Sequence, residues 1–368
     1  MARALQLAAR GRGSTSPNPM VGAVIVSKGR VVAEAWHRRP GGLHAEAEAL
    51  QQAGPRARGA TLYLTLEPCC HTKKRTPPCL PRLLEAALAR VVIAMPDPNP
   101  LVNGRSIRAL RRAGMAVSVG CFAADAEELN RIYCHWMKTG RPWVILKAGM
   151  TLDGKIATAA GASKWITGGE ARADAHRVRS EVDAVLVGAG TVVRDNPQLT
   201  ARLFHQGRER DRLALRQPVR VLVDSLLRVL PSARLFRRAW DQPVIVATTT
   251  RAAQARGRAL ERRGVDVVVL PGRRREVPLT ALMRLLAGRG ISSVLLEGGS
   301  TLNAAMLRAG LVDQVRFYVA PRLLGGQDAK GVIGGRSPAA LSSLISLGRV
   351  TLEQAGDDLI VDGLVLSH

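Results

Sequence analysis

The feature that most limits what this 368-residue chain can fold into is an alternation that runs along its whole length. Short apolar runs of strand length take turns with segments of helical period. VGAVIV (21–26), RVVAEAW (30–36), ATLYLTL (60–66), RVVIAM (90–95) and MAVSVG (115–120) read as strands. Between them HAEAEALQQAG (44–54), CLPRLLEAALA (79–89), SIRALRRAG (106–114) and ADAEELNRIYCHWM (124–137) read as helices. Such alternation predicts an α/β layered sheet. KTGRPWV (138–144), with its glycine and proline, reads as a linker. A second series starts at WVILKAGM and continues through AVLVGAG (184–190), VRVLVDS (219–225), PVIVATT (243–249), VDVVVLP (265–271), SSVLLEGG (292–299) and QVRFYVAP (314–321). The length suits two domains, and the expected division is 1–142 and 143–368. ARLFHQGRERDRLALRQP (201–218) has no clean period and reads as a loop excursion.

Composition narrows the function. The formal net charge is +25, which raises the question of nucleic acid. The excess divides almost evenly between the two halves and is nearly all arginine, with no basic arm or tail. It therefore reads as a chain-wide arginine bias that attracts anionic substrates, and no nucleic-acid partner is expected. No apolar run reaches the ~18–20 residues that cross a bilayer. The opening MARALQLAARGRGS reads as a short amphipathic helix rather than a signal peptide. A cytoplasmic protein with no membrane partner is expected, its thiols reduced. The cysteines, Cys69, Cys70, Cys79, Cys121 and Cys134, are odd in number, which also disfavours a disulfide framework.

Two stretches carry chemistry. In GGLHAEAEAL, His44 and Glu46 stand at the opening of a helix, and TLEPCCHTKKRTPPC brings Cys69 and Cys79 downstream. Two thiolates and one imidazole suit Zn²⁺ and leave a fourth position for water, which ionises near neutral pH. Glu46 is placed to relay a proton without being a ligand. H-x-E followed by P-C is the order used by zinc deaminases. Alone, an H-x-E on a helix reads as a solvated face and a lone cysteine as a small buried hydrophobe; together they favour a metal site. Thr76-Pro77-Pro78-Cys79 reads as a helix start with Thr76 as cap, which lowers the pKa of the Cys79 thiol. Lys73, Lys74, Arg75 and Thr76 are candidates for gripping a phosphate. Further on, LEGGSTLNAAMLRAGL (296–311) and VGAGTVVRDNP (187–197) each pass from strand through glycine to helix, a form that lets backbone amides approach an anion. Neither is a G-x-G-x-x-G fingerprint.

SPNPMVGAVIV, LHAEAEAL, TLEPCCHTKKRTPPC and MPDPNPLVNGRS resemble the deaminase half of the bifunctional riboflavin-biosynthesis deaminase/reductases. LKAGMTLDGKIATAAGASKWIT, VGAGTVVRDNPQLTAR and LLEGGSTLNAAML resemble the reductase half. The resemblance implies a cytidine-deaminase-like three-layer first domain and a dihydrofolate-reductase-like α/β second domain. It implies zinc on His44, Cys69 and Cys79, Glu46 as proton shuttle, and Asn18 against the pyrimidine of a phosphorylated small-molecule substrate. It implies NADPH along Gly149, Trp165, Thr191, Asp195, Ser225 and the loop Gly298, Gly299, Ser300, Thr301, Leu302 and Asn303. Lys147, Ser163, Arg179, Leu199, Arg202 and Glu297 would line the second substrate site. A homo-oligomer is expected. In one respect the chain departs from the family: the loop from Cys70 to Pro78 is one residue longer than usual. A nucleic-acid or nucleoside deaminase with an accessory domain, or a reductase whose deaminase site has degenerated, are the alternatives.

Overall fold

A computed structural model describes residues 1–72, 76–202, 204–205, 208–209, 216–271 and 276–366. It forms two compact units, Met1–Gly140 and Arg141–His368.

The strands of the first unit are β1 (Gly22–Ser27), β2 (Arg30–Trp36), β3 (Thr61–Leu64), β4 (Arg90–Ile93) and β5 (Ala116–Val119). They form one sheet in the order β2-β1-β3-β4-β5, with β1 antiparallel to both its neighbours and β3, β4 and β5 parallel. The helices are α1 (Ala2–Ala9), α2 (Ala45–Ala53), α3 (Leu80–Glu85), α4 (Arg105–Arg112), α5 (Ala123–Leu129) and α6 (Arg131–Thr139). Alternate residues of a strand face opposite ways, and both faces are apolar here. Ala23, Ile25, Leu62, Leu64, Val91 and Ile93 pack under α2, α3 and α4. Val24 meets α1 on the other face. The result is helix, sheet, helix: three layers.

One expected helix is two. The pattern over 124–137 reads as continuous, yet α5 and α6 are separated at Asn130. That side chain is buried and clamps Met20, accepting from its N–H (2.8 Å) and donating to its C=O (2.9 Å). Tertiary hydrogen bonds to the main chain outweigh one more helical residue at this position.

The second unit contains β6 (Trp143–Thr151), β7 (Lys155–Ala157), β8 (Ala184–Gly188), β9 (Phe204–His205), β10 (Arg208–Glu209), β11 (Val219–Val223), β12 (Val244–Thr248), β13 (Asp266–Val269), β14 (Ser293–Leu296), β15 (Gln314–Ala320), β16 (Lys330–Gly331), β17 (Leu347–Ala355) and β18 (Asp358–Val365). Nine of them form a sheet in the order β13-β12-β11-β8-β14-β6-β15-β18-β17. From β13 to β15 every pairing is parallel, and β15, β18 and β17 pair antiparallel. Parallel strands are covered on both faces and read as unbroken apolar runs, which is why VLVG, VRVLV and SVLL were legible. The helices are α7 (Gly169–Glu181), α8 (Ala189–Asp195), α9 (Gln254–Glu261), α10 (Leu279–Gly288) and α11 (Ser300–Arg308). The core places Val144, Leu146, Leu186 and Leu296 against Met283 and Leu286 of α10 and Met306 of α11. Much of the 201–218 excursion lies outside the described residues. The hairpin β17–β18 had no counterpart in the sequence reading, because β17 is almost wholly exposed and shows no buried face.

Candidate active sites

In the first unit, His44 is the N-cap of α2, with extended backbone (φ −76°, ψ 156°), and Glu46 is in the first turn. Inside a helix, residues two apart do not share a face. The extended backbone at His44 lifts that restriction, so both side chains reach the same point. Cys69 follows β3, and Cys79 caps α3. One ligand atom from each of His44, Glu46, Cys69 and Cys79 lies within 4.8 Å of every other. His44 Nδ1 is 3.5 Å from Cys69 Sγ. For Zn–S of ~2.3 Å and Zn–N of ~2.0–2.1 Å, a tetrahedral angle sets two such ligands about 3.5 Å apart. The donor set therefore fits zinc in both chemistry and spacing.

The cluster is electrostatically incomplete without a cation. Burial first, then Cys69, pushes the Glu46 carboxyl up, against the pull of His44. The hydrogen bond with Cys69 pushes the Cys79 thiol up, with burial and Glu46 adding to it. The expectation that a helix start would lower that pKa fails here, because these neighbours outweigh a six-residue helix. Crowded acids that hold protons by themselves are what a metal ion deprotonates.

Thr76 does not cap the helix. α3 begins at Leu80, and its first free amides are taken by Cys69: Cys79 N–H donates to the Cys69 carbonyl (3.1 Å) and to its Sγ (3.4 Å), and Leu80 N–H to the same carbonyl (3.2 Å). Thr76 Oγ1 instead lies 3.1 Å from His44 Nε2. With Nδ1 toward Cys69, Nε2 carries the proton that Thr76 accepts, the kind of partner that fixes a ligand imidazole. Cys70 turns away and donates to the Leu101 carbonyl (3.7 Å); His71 is outside the donor cluster. All five cysteines are free thiols. Lys73, Lys74 and Arg75 lie outside the described residues. A cavity of ≈ 440 Å³ opens beside the cluster, lined by Gly42, Leu43, His44, Thr76, Pro78 and Cys79 among others.

Two side chains here went unassigned in the sequence. Glu67, buried, accepts from four main-chain amides: Asp97 and Gly104 on Oε2, Ser106 and Ile107 on Oε1 (2.8–3.2 Å). It ties the DPNP loop and the start of α4 to the strand that delivers Cys69. His37 is also buried; its Nδ1 pairs with the Leu43 carbonyl and its Nε2 with Asn18 Nδ2, both at 3.0 Å. A ring that donates from Nδ1 accepts at Nε2, so Asn18 donates an amide N–H to His37.

In the second unit several of the residues singled out from the sequence lie at the carboxyl ends of parallel strands, where α/β sheets bind ligands. Gly149 is near the end of β6, Ser225 follows β11, and Glu297 and Gly298 follow β14. Gly298 is glycine for a steric reason: a Cβ would sit 2.7 Å from Asn303 Oδ1. Gly299 caps α11, whose first-turn amides at Ser300 and Thr301 have no helical acceptor. A Cβ on Gly299 would touch Thr191 Oγ1, bringing α8 to the same place. Leu302 packs against Gly188 and Gly298. Bare backbone beside two helix starts fits a dinucleotide's phosphates. Asn303 is wholly buried and donates to the Val332 carbonyl (3.0 Å). Trp165 is exposed, in the left-handed region (φ 66°), with the Arg172 guanidinium 4.5 Å from its ring. Ser163 Oγ donates to Asp195 (3.3 Å). Ser225 gives its carbonyl to the Thr248 and Thr249 hydroxyls.

Beside this lies a charged group. Glu297 receives Arg179 on both oxygens (2.5 and 2.7 Å) and Lys147 at 3.7 Å. Burial would push Glu297 up; Arg179 and Lys147 overcome it and hold the carboxyl at about 2. Arg179 also donates to the carbonyl of Thr200, next to the buried Leu199. Arg202 reaches the group through His176 (3.3 Å).

A three-layer unit with a zinc-type His/Cys/Cys/Glu cluster, followed by a largely parallel sheet with a dinucleotide-type glycine corner, defines a two-domain deaminase/reductase. Comparison with known proteins agrees. The cytidine and deoxycytidylate deaminase zinc-binding region matches residues 1–95, and the RibD C-terminal domain matches 142–361. The riboflavin biosynthesis protein RibD of Actinobacillus pleuropneumoniae is 42% identical over 367 residues, covering 100% of this chain and 95% of that one. RibD of Escherichia coli is 43% identical over 336 residues, 90% and 89% of the two chains. Among solved structures, Acinetobacter baumannii RibD superposes with a TM-score of 0.89 at 37% identity, covering 100% and 98%. A Thermotoga maritima diaminohydroxyphosphoribosylaminopyrimidine deaminase/5-amino-6-(5-phosphoribosylamino)uracil reductase gives 0.84 at 35%, covering 100% and 97%. The chain belongs to the RibD family: it is a bifunctional deaminase and reductase of riboflavin biosynthesis that uses zinc and NADPH.

Proposed function

We propose that the first unit deaminates 2,5-diamino-6-(5-phosphoribosylamino)pyrimidin-4-one and that the second reduces the ribosyl group of the product to ribityl. His44, Cys69 and Cys79 hold the zinc; the observation that carries this is their convergence, with Glu46, within 4.8 Å. Zinc, when bound, supplies a water acidic enough to act as nucleophile at neutral pH. Glu46 takes the proton and returns it to the departing amino group, so ammonia leaves neutral. Its buried setting favours a carboxyl that carries a proton at this step. Asn18 offers its carbonyl oxygen to a pyrimidine N–H, held that way by His37.

In the second unit, Gly149, Trp165, Thr191, Asp195, Ser225 and the Gly298–Asn303 corner lie along NADPH, which supplies hydride to the ribose C1′. Lys147, Ser163, Arg179, Leu199, Arg202 and Glu297 line the substrate. Arg179 and Arg202 take the phosphate, since guanidinium matches it in charge and shape. The work of these residues is positioning. No helix of the described residues is long and apolar enough to cross a membrane; a cytoplasmic homo-oligomer without nucleic-acid or membrane partners is part of the same proposal.

The test is His44→Ala. Zinc content falls from about one per chain, the ratio set by a single three-ligand site, to background. Ammonia release stops, while NADPH oxidation with the deaminated substrate persists. Retained zinc would place the metal elsewhere; loss of both activities would mean that the units do not work independently.

A further inference from the structure

The stretch TLDGK leads from β6 into β7, and its aspartate has no role so far. Asp153 is exposed, yet three donors converge on its carboxylate. The Thr151 hydroxyl (2.6 Å) and the Leu324 amide (3.1 Å) donate to Oδ1, and the Gly325 amide to Oδ2 (2.8 Å). These bonds, that of Thr151 foremost, hold the carboxyl at about 2, so it is charged at neutral pH. The Leu152 amide donates in turn to the Arg322 carbonyl (2.8 Å). The turn therefore fastens the loop that follows β15. From that loop Arg322 Nη1 donates to the main-chain carbonyl of Trp165 (3.0 Å). Trp165 is in the left-handed region (φ 66°), where a bulky side chain persists only if its surroundings impose it. Further ties flank it. Arg172 donates to the Thr167 carbonyl, and the buried Asp358 accepts the Gly168 N–H, both at 2.6 Å. Thr167 lies against Gly149, where a Cβ would sit 3.3 Å from its Cγ2. The segment 165–168 is thus pinned at β6, while the indole stays 69% exposed with the Arg172 guanidinium over its ring. Strain that leaves a large apolar ring in solvent gains nothing for the fold; it presents the ring.

We propose that Arg322 is a positioning residue of the reductase site: its bond to the Trp165 carbonyl holds the indole where a ring of NADPH packs on it. Asp153 acts one step further out, by fixing the loop that carries Arg322. This rests on the reading of Trp165 as a residue along NADPH. Neither Arg322 nor Asp153 has a local signal. An aspartate before glycine reads as a turn, and the bond from Arg322 crosses the chain.

The experiment is a double-mutant cycle, read as the KM for NADPH and for 5-amino-6-(5-phosphoribosylamino)uracil. In Arg322→Met, KM for NADPH rises about fivefold, the net worth of one hydrogen bond, and KM for the pyrimidine is unchanged. Arg322 is exposed, so the substitution leaves the core untouched. Arg322→Lys, still a donor on a long stem, recovers most of the affinity. Asp153→Ala shifts the KM for NADPH the same way, and Asp153→Asn, with one acceptor oxygen left, shifts it less. Trp165→Ala raises the KM for NADPH by itself. Adding Arg322→Met to it produces no further loss, because a residue that acts through Trp165 has nothing left to act on. Additive losses in the double variant, or equal rises in both KM values, overturn the proposal. If Trp165→Ala raises the KM for NADPH while Arg322→Met leaves it unchanged, only the inference about Arg322 fails. If Trp165→Ala leaves it unchanged, the reading of Trp165 as a cofactor residue fails, and the inference with it.

Discussion

At the scale of single residues, the two sites answer one problem in different ways. The problem is the cost of placing charge where water is scarce. In the first unit, burial and close neighbours push the Glu46 carboxyl and the Cys79 thiol up, so that both hold protons a cation would displace. The hydroxyl of Thr76 fixes which nitrogen of His44 meets that cation. Thr76→Val keeps the shape and removes the acceptor. Partners of a ligand imidazole are worth about 10–100-fold in metal affinity, and competition with a chelator should show a loss in that range, with the fold intact by circular dichroism. In the second unit the balance is reversed, and Glu297 is held charged by Arg179 and Lys147. Its carboxyl stays near 2, below the ordinary value of 4.5. A depressed carboxylate stabilises the fold above its unfolded pKa and loses that contribution as pH falls through its folded one. The wild-type unit should therefore lose stability between pH 4.5 and about 2. Glu297→Gln should flatten that part of the profile in acid-denaturation curves, at the expense of substrate affinity.

At the scale of elements, several motifs do structural work that their spelling hides. The glutamate of TLEPC stitches four amides of the 97–107 segment to the end of β3. Glu67→Ala leaves those donors buried and unsatisfied, each at about 1–3 kcal/mol before relaxation. It should lower the melting temperature of the first unit and weaken zinc binding, whereas Glu67→Gln, with one acceptor oxygen left, should cost less. The sequence made the strands and most helices legible because period and burial agree in them. It misled where a hydrogen bond reached across the chain. Asn130 splits a continuous helical pattern to clamp Met20, and Cys69 captures the amides that Thr76 was expected to cap. Neither partner is close in sequence, so no local signal could reveal it. The zinc cluster was readable because its chemistry is rare, needing only the kinds and order of His44, Glu46, Cys69 and Cys79. His176 and His37 were not, since a lone histidine on an amphipathic segment says nothing until its neighbours are in place.

At the scale of the whole molecule, one chain carries two units that perform consecutive steps on one substrate class. The high positive charge acts in the same direction in both, drawing a phosphorylated substrate in. The first step needs zinc and the second NADPH, so the two can be scored separately in one tube. The decisive measurement supplies the purified chain with 2,5-diamino-6-(5-phosphoribosylamino)pyrimidin-4-one, with and without NADPH, and follows ammonia and NADPH independently. Ammonia should appear in both arms, and NADPH should be consumed only after ammonia and in no greater amount. NADPH loss without ammonia, or a substrate left intact by zinc-loaded protein, would contradict the account.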